Sequence, residues 1–463
     1  MTVMTSGGDL LAELNAYRQA AAQQLDEQAW RAQTFQLYYD GEQDVPALMD
    51  TEERRVFRRF LRESGANWCE LVVNAVAERL QVTGFRFNDA GASDRAWAVW
   101  QANAMDADAE LAQTDALVTG QSFVLVQPDD ASAVGVSITP ESPLEATVLY
   151  EPGDRRRRVA GYKRYGEFDG VTEVLILPDV IATWYPSEAM PVVEANPAGT
   201  VGLVPLVPQP RLGRSPRSEL TPALSIQDRI NTTIFNRLVS ADYGAFRQIW
   251  ATGVRMARKV IVEPNGEETV KAVKPFELGV NRLLVNESPD ARFGHIPESS
   301  LRGYLDAVEQ DVNQLAAITQ TPPHYLLGAM VNLSADAIKA AETGLVAKVR
   351  RRALHIGEGH EEVMRTALGI LGDPSAADTS AEVIWADFET RSEGQRVDAL
   401  VKMATLGVPT QVLWERWGAS PQEVERWQAM GAAEAAASPE AAYTRLLAAA
   451  FPPAAQPAAL PPE

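Results

Sequence analysis

The sequence predicts an α+β fold, mainly helical, from three observations. Apolar residues recur at three- and four-residue steps over long stretches, a block of short strand-like segments fills about 138–185, and a small strand-rich insert at 248–297 separates two long amphipathic helices. A chain of 463 residues with 46% apolar content can bury a sizeable core.

Leu10, Leu11, Leu14, Tyr17 and Leu25 form an apolar stripe near the start, and Thr51 to Leu61 reads as a short charged helix. From Asn67 to Leu80 the stripe is clearer, with Trp68, Leu71, Val72, Ala75, Val76 and Leu80 on one helix face. Gly84 breaks it and Phe85-Arg86-Phe87 starts an extended segment. Helices are expected at Ser93–Asn103 and Asp106–Thr119, the second ended by Gly120, with a strand at Ser122–Gln127.

The β block holds candidate strands Ala146–Tyr150, Val159–Tyr165, Val171–Leu177 and Val180–Tyr185, punctuated by Pro152-Gly153, Asp169-Gly170 and Pro178-Asp179. Arg155 to Arg158 stand beside one of these turns, where a solvated hairpin tip and a phosphate contact both account for them. Pro186 to Pro216, rich in Pro and Gly, reads as an extended crossing segment.

A long helix is expected from about Glu219 to Tyr243, on Leu220, Leu224, Ile230, Ile234 and Leu238. The insert after it has candidate strands Gln248–Thr252, Lys259–Glu263, Thr269–Val273 and Arg282–Val285; its seven Arg/Lys and six Asp/Glu set it apart from the general acidity. A second long helix, Glu298–Ile318, carries Leu301, Tyr304, Leu305, Val308, Val312, Leu315 and Ile318 as its stripe. Thr321-Pro322-Pro323 stops it, because proline cannot continue the hydrogen-bond ladder. Ser334 is placed to cap a helix running to about Leu354, another covers Glu361–Leu371, and Trp385 to Met430 reads as helical. Within it, Ser420-Pro421-Gln422-Glu423 combines an N-cap, proline at the first helical position and a capping-box glutamate. From Gly431 the chain turns to Ala and Pro, and a tail disordered at its end is expected.

Net charge is −20, from 62 acidic against 42 basic side chains. Tight nucleic-acid binding usually carries a basic footprint, so stable DNA binding is disfavoured, while a surface that DNA passes without sticking is acidic or neutral. The chain lacks an apolar run of transmembrane length and its first residues do not form a secretory signal. The single cysteine, Cys69, fits a reducing cytoplasm.

Catalytic motifs are missing. Without a Gly-Lys dipeptide the chain has no P-loop for ATP phosphates. His355-Ile356-Gly357-Glu358-Gly359-His360 is one residue too long for an inverted zinc-protease motif, and its histidines point about 140° apart on a helix, so a helix bend is expected there. Ser215 lacks the glycine of a nucleophile elbow, Cys69 has no nearby base, and Asp129-Asp130 reads as a solvated acidic pair. No cofactor or metal is expected.

The stretch Asn67-Trp68-Cys69-Glu70-Leu71-Val72-Val73-Asn74-Ala75-Val76-Ala77-Glu78-Arg79-Leu80, followed by Val82-Thr83-Gly84-Phe85, resembles the N-terminal signature of portal proteins of tailed bacteriophages. The similarity is to the siphophage family typified by a Bacillus phage and abundant in phages of actinobacteria. Gly213-Arg214-Ser215 with Ser218-Glu219-Leu220 resembles the family's Gly-Arg-Ser-Glu-Leu, here split by Pro216-Arg217. Thr319 to Gly328 resembles the segment after the second long helix, and Trp385-Ala386-Asp387, Arg391-Ser392 and Leu406-Gly407-Val408-Pro409 the C-terminal helical region.

The resemblance implies a portal fold of wing, stem, clip and crown that assembles into a cyclic ring. On this sequence 1–218 corresponds to the wing, 219–247 and 298–319 to stem helices, 248–297 to the clip, 320–334 to a tunnel loop, 335–384 to wing helices, 385–430 to the crown and 431–463 to the tail. Candidate channel-facing residues are Glu298, Arg302, Asp306, Glu309 and Asp311; candidate tunnel-loop residues are Thr321, Pro322, Pro323, His324, Tyr325, Met330 and Asn332. Candidate clip contacts are Arg255, Arg258, Lys259, Lys271 and Lys274. The implied function is a non-enzymatic, dodecameric channel for double-stranded DNA at one capsid vertex of the virion, assembled in the host cytoplasm. Its implied partners are other copies of the chain, DNA passing without sequence specificity, the terminase large subunit, a head–tail adaptor, and the major capsid and scaffolding proteins, with no membrane. The competing readings are another phage head or adaptor protein and a metal-dependent nuclease.

Overall fold

A computed structural model of the chain describes residues 7–43, 59–167, 170–245, 249–252, 258–262, 268–272, 290, 292–295, 300–328, 335–389, 393–419 and 421–437. The chain divides into two compact units, one made of Met1–Gln43, Asn67–Ser225 and Gln314–Glu463, the other of Asp44–Ala66 and Ile226–Asn313.

In chain order the first elements are helices α1 (Gly7–Asp40), α2 (59–63) and α3 (Cys69–Ala77), strand β1 (Val82–Arg86), and helices α4 (Ala90–Ala102) and α5 (Met105–Thr119). Strands β2 (Ser122–Pro128), β3 (Val136–Glu141), β4 (Ala146–Glu151), β5 (Asp154–Glu167), β6 (Gly170–Ile176), β7 (Val180–Trp184), β8 (Val192–Ala195) and β9 (Leu203–Leu206) come next. Then come α6 (Leu224–Ala245), strands β10 (Ile249–Thr252), β11 (Arg258–Val262), β12 (Glu268–Ala272) and β13 (Arg292–His295), and helix α7 (Arg302–Thr319). The chain continues through α8 (Pro323–Leu327), α9 (Ala335–Ile370), a 3-10 turn (Pro374–Ala377), β14 (Glu382–Trp385), α10 (Glu393–Thr405), α11 (Thr410–Trp417) and α12 (Pro421–Ala437).

The first unit is built on two antiparallel sheets, of order β3-β2-β9 and β4-β5-β6-β7-β8. Strand β2 explains how they share a core. Its run Phe123-Val124-Leu125-Val126 is buried on both faces: Phe123 and Leu125 pack with Val148 and Leu203, whereas Val124 and Val126 join Trp100, Met364 and Leu368. A strand covered on both sides reads as a continuous apolar run, and each fully buried side chain contributes about 1.5–3 kcal/mol. Helix α1 closes the second sheet, with Leu14, Ala21 and Leu25 on Tyr162, Leu175 and Ala182. Gln24 fixes its register by donating to Thr147 Oγ1 (2.8 Å) and the Val148 carbonyl (3.0 Å), and Gln28 donates to the carbonyls of Pro143 (2.6 Å) and Ala146 (2.8 Å).

Several sequence expectations are corrected here. The segment 186–216 is more than a crossing strap, because β8 extends one sheet and β9, with Leu203 and Leu206 fully buried, completes the other. The helix expected to break near 355–360 is continuous from Ala335 to Ile370. Gly359 serves packing rather than bending: a Cβ there would collide with the Leu206 side chain and come within 3.2 Å of the Pro205 carbonyl, so its absence lets α9 lie on β9. Trp385 ends a strand, not a helix, since β14 pairs antiparallel with β1, matching Val82 with Trp385 and Phe85 with Val383. The last helix runs past Gly431 to Ala437, beyond which the expected tail lies outside the described residues.

In the second unit, α6 starts at Leu224, five residues later than expected, after turns at 219–223. Ile230, Ile234 and Phe235 are buried along it. The chain before α3 is held to α6 by two buried polar residues. Gln227 donates to the Ala66 carbonyl (2.5 Å) and to Asn231 Oδ1 (3.0 Å), which also accepts from the Ala66 amide (3.2 Å). Arg229 pairs with Asp311 (2.8 Å), and Ser240 lies 3.2 Å from the Tyr304 hydroxyl, so α6 is tied to α7 at two levels. The insert contains two antiparallel pairs, β10 with β13 and β11 with β12. The strand expected at 282–285, most of the charged helix at 51–61 and the Ser334 cap fall outside the described residues.

Candidate functional site

Of the channel-facing candidates, Arg302, Asp306 and Glu309 are exposed on α7, while Glu298 lies outside the described residues. Asp311 stands apart, because its ion pair with Arg229 leaves it only 15% exposed and neutralises its charge locally. Between these charges Leu301 and Leu305 are 37% and 50% exposed, whereas Val312 and Leu315 further along the stripe are buried. The stripe is therefore covered at Val312 and Leu315 and open to water on either side, since Ile318 beyond them is 48% exposed.

The tunnel-loop candidates divide in a way the sequence does not indicate. Helix α7 ends at Thr319, and Gln320 adopts the left-handed conformation (φ 56°) that turns the chain. Thr321 and Pro322 are then buried, and Pro323, His324 and Tyr325 form the short helix α8. This stretch is anchored to α3 and its C-terminal edge. The Trp68 indole donates to the Leu326 carbonyl (3.1 Å), and Arg79 donates to the Tyr325 hydroxyl (2.8 Å) and the Phe388 carbonyl (2.9 Å). Glu342 of α9 approaches Arg79 (3.7 Å) and His324 (3.9 Å). Residues 323–327 are thus helical; proline ends one helix and starts the next, and side chains from the motif at 67–80 hold the result in place. Met330 and Asn332 lie outside the described residues.

Among the clip candidates, Arg258 and Lys259 stand on β11 and Lys271 on β12, in a register that sets Lys259 opposite Lys271. Arg255 and Lys274 lie outside the described residues.

A buried ionic cluster escapes sequence reasoning. Glu219, 5% exposed at its side chain, receives Lys348 at 3.0 Å and is also paired with Arg352 of α9. Gln209 donates to the same carboxylate (2.6 Å), and Lys348 donates onward to the Thr319 carbonyl (2.9 Å). Burial would push the Glu219 carboxyl up, but Lys348 and Arg352 outweigh it and hold it below the usual carboxylate range. One lysine thereby clamps the chain just before α6 and at the last residue of α7. The split Ser218-Glu219-Leu220 motif is the available signal; its partner more than a hundred residues away is not.

The two histidines of 355–360 have separate surroundings. His360 is fully buried, its Nε2 3.0 Å from the Gln113 side-chain amide and its ring edge-on to Trp100, and burial pushes its pKa down to about 3. His355 is half-buried, and burial lowers it too. Among the described residues no group of His, Cys, Asp and Glu is arranged to hold a metal ion, and no helix is long and apolar enough to cross a membrane.

With long helices flanking paired strands and an open apolar stripe, the protein has the features of an assembling structural component. Residues 20–437 match the family model described as "Phage portal protein, SPP1 Gp6-like", and the chain belongs to this family of phage portal proteins, structural components of the virion rather than enzymes. It is 30% identical to the portal protein of Mycobacterium phage L5 over 387 residues, covering 79% of this chain and 77% of that one. To the portal protein of Mycobacterium phage D29 it is 28% identical over 453 residues, covering 92% and 91%. A chain of the solved structure titled "Virion of native gene transfer agent (GTA) particle" aligns over 81% of this chain and 92% of its own, with TM-score 0.40 and 14% identity.

Proposed function

We propose that twelve copies of this chain close into a ring at one capsid vertex, and that double-stranded DNA enters and leaves the head through the central channel. The observation that carries this reading is the half-covered stripe of α7. Leu301, Leu305 and Ile318 stand 37%, 50% and 48% exposed on either side of the buried Val312 and Leu315, apolar surface that a neighbouring copy would cover. A head-to-tail interface between copies supplies that cover and closes when its rotation divides a full turn.

In this reading α6 and α7 are the stem, the strand pairs between Ile249 and His295 are the clip, 1–218 and 335–384 form the wing, and α10 to α12 the crown. The tunnel loop is read at 320–334, a stretch that contains α8 and continues through Met330 and Asn332. Asp306, Glu309 and Glu298 outnumber Arg302 along the channel once Asp311 is discounted as paired with Arg229. Repeated around a ring, that excess discourages DNA from adhering within a screening length of roughly 8 Å. The clip cations, Arg258, Lys259 and Lys271, with Arg255 and Lys274, then face the terminase large subunit and later the head–tail adaptor. The wing and crown meet the major capsid and scaffolding proteins during assembly in the host cytoplasm.

Light scattering and electron micrographs of the purified protein test this. Rings of about twelve or thirteen subunits are expected; a monomer at every concentration would overturn it, and a narrowest ring lined by Arg and Lys would overturn the account of DNA passage.

A further inference from the structure

The four consecutive arginines take no part in the stem, the clip or the channel, and their surroundings assign them another role. Arg158 is buried against Glu362 (2.6 Å) and Arg157 pairs with Glu151 (2.9 Å). Arg155 and Arg156 are exposed and have no acidic partner among the described residues, because Asp154 turns its carboxylate to the Arg156 backbone amide (2.9 Å). The hairpin turn projects freely: a Cβ on Gly153 would meet nothing within 4 Å. The fold therefore presents two guanidinium groups at the tip of β4–β5 with their charge unanswered.

The same unit carries a surface of opposite character on α1, α3 and α5. Leu37, Leu71 and Leu111, one from each helix, are 39%, 39% and 64% exposed, and Trp30 on α1 is 72% exposed. Of these, Leu111 lines a cleft of about 810 Å³ together with Asp40, Glu78, Glu110, Asp115 and Glu141. Lys163 answers Glu141 (2.7 Å), but Asp40, Glu110 and Asp115 have no cationic partner among the described residues. Burial pushes the Asp115 carboxyl up to about 6, against a hydrogen bond donated by Gln36 (3.2 Å) and with a smaller push from Asp40. Exposed apolar side chains around uncompensated carboxylates are the composition of an interface whose partner brings cations.

We propose that the α1/α3/α5 face of one copy receives the β4–β5 hairpin of the next, with Arg155 and Arg156 entering the acidic cleft. This rests on the ring reading and names two of the surfaces that meet in it. The hairpin cannot serve its own cleft. Lys163 marks the cleft end of β5 through Glu141, and Asp154 lies nine residues back along the strand, roughly 30 Å away at the rise of an extended chain. Donor and acceptor are thus different surfaces at opposite ends of one strand, so the hairpin of one copy must enter the cleft of another, and in a ring that contact repeats head to tail.

The test is charge exchange in the full-length protein. Arg155→Glu with Arg156→Glu, and separately Asp40→Arg with Glu110→Arg, change only exposed positions; unchanged circular dichroism and melting midpoint show that each variant folds. Each pair alone is expected to raise the concentration needed for assembly at least about ten-fold, and the quadruple variant to restore it. Wild-type-like assembly in both pairs, or no recovery in the quadruple, overturns the proposal while leaving a wild-type ring intact. A wild type that never assembles overturns the ring reading itself. Loss of salt-dependent DNA binding in the arginine variant with assembly unchanged assigns the hairpin to phosphate and also overturns it.

Discussion

The two units solve the same problem in different ways. In the first, apolar stripes find partners within the chain, as when Leu14, Ala21 and Leu25 of α1 meet Tyr162 and Leu175, or Leu206 of β9 meets the core under α9. In the second, α7 leaves Leu301 and Leu305 in water, although its polar residues Tyr304 and Asp311 are engaged by α6. A unit whose polar contacts are made and whose apolar contacts are open is ordered enough to present a surface, but not to cover it. The difference is one of degree, because the first unit also leaves Leu37, Leu71 and Leu111 partly in water on α1, α3 and α5.

The largest effect is expected at the ionic cluster, where the first unit is most dependent on its own residues. Removing Lys348 leaves Glu219 with Arg352 alone and strips the Thr319 carbonyl of its donor. Glu219→Ala goes further, leaving both Lys348 and Arg352 without their carboxylate, and is expected to destabilise the protein by about 3–5 kcal/mol, the cost of leaving a buried charge unpaired, read from denaturant melts. A loss below about 1 kcal/mol would mean the cluster is not a clamp.

The same substitution placed in each unit tests the contrast directly. Leu206→Ala, at a fully buried position, is expected to cost about 2–5 kcal/mol. Leu305→Ala, at a half-exposed one, is expected to stay within about 0.5 kcal/mol in the isolated subunit and to weaken assembly instead. Equal melting shifts would abolish the distinction between the two units.

Much of the first unit is legible in the sequence because its signals are local. The stripe at 67–80, Gly120 closing α5 in a left-handed cap, and the turns between β4 and β7 all act within a few residues. The features that stay hidden depend on distant chain. Strands β9 and β14 have four residues each, too few for a period, and exist because β2 and β1 pair with them. Gly357 and Gly359 suggest a bend because their use, at least for Gly359, is a close approach to β9 that no window of sequence contains. The candidate site is less completely legible. The prolines of 321–323 announce the end of a helix, but nothing near them announces that Trp68 and Arg79 hold the next turn in place. Asp311 reads as a channel charge in the sequence because Arg229, its partner, lies on another helix.

The smallest effect concerns Asp115, and its sign comes from linkage. Its carboxyl titrates near 6 in the fold against 3.8 when unperturbed, because burial, with a smaller push from Asp40, disfavours the ionised form more than the Gln36 hydrogen bond favours it. Between those two values the folded subunit binds more protons than the unfolded chain, so stability falls as pH rises from about 4 to about 6 and then levels. Asp115→Asn removes this dependence. With the group partly open to solvent, the variant is expected to gain about 1–2 kcal/mol over the parent at pH 8 and almost nothing at pH 4. The comparison is made on subunits kept apart by Arg155→Glu and Arg156→Glu, so that only the empty cleft is read. In assembled rings an arginine in the cleft favours the ionised carboxylate, and the advantage of Asn at pH 8 should vanish or reverse. An advantage that persists unchanged in the ring would mean the cleft stays empty there, and that the carboxylates of the first unit are not waiting for a neighbour.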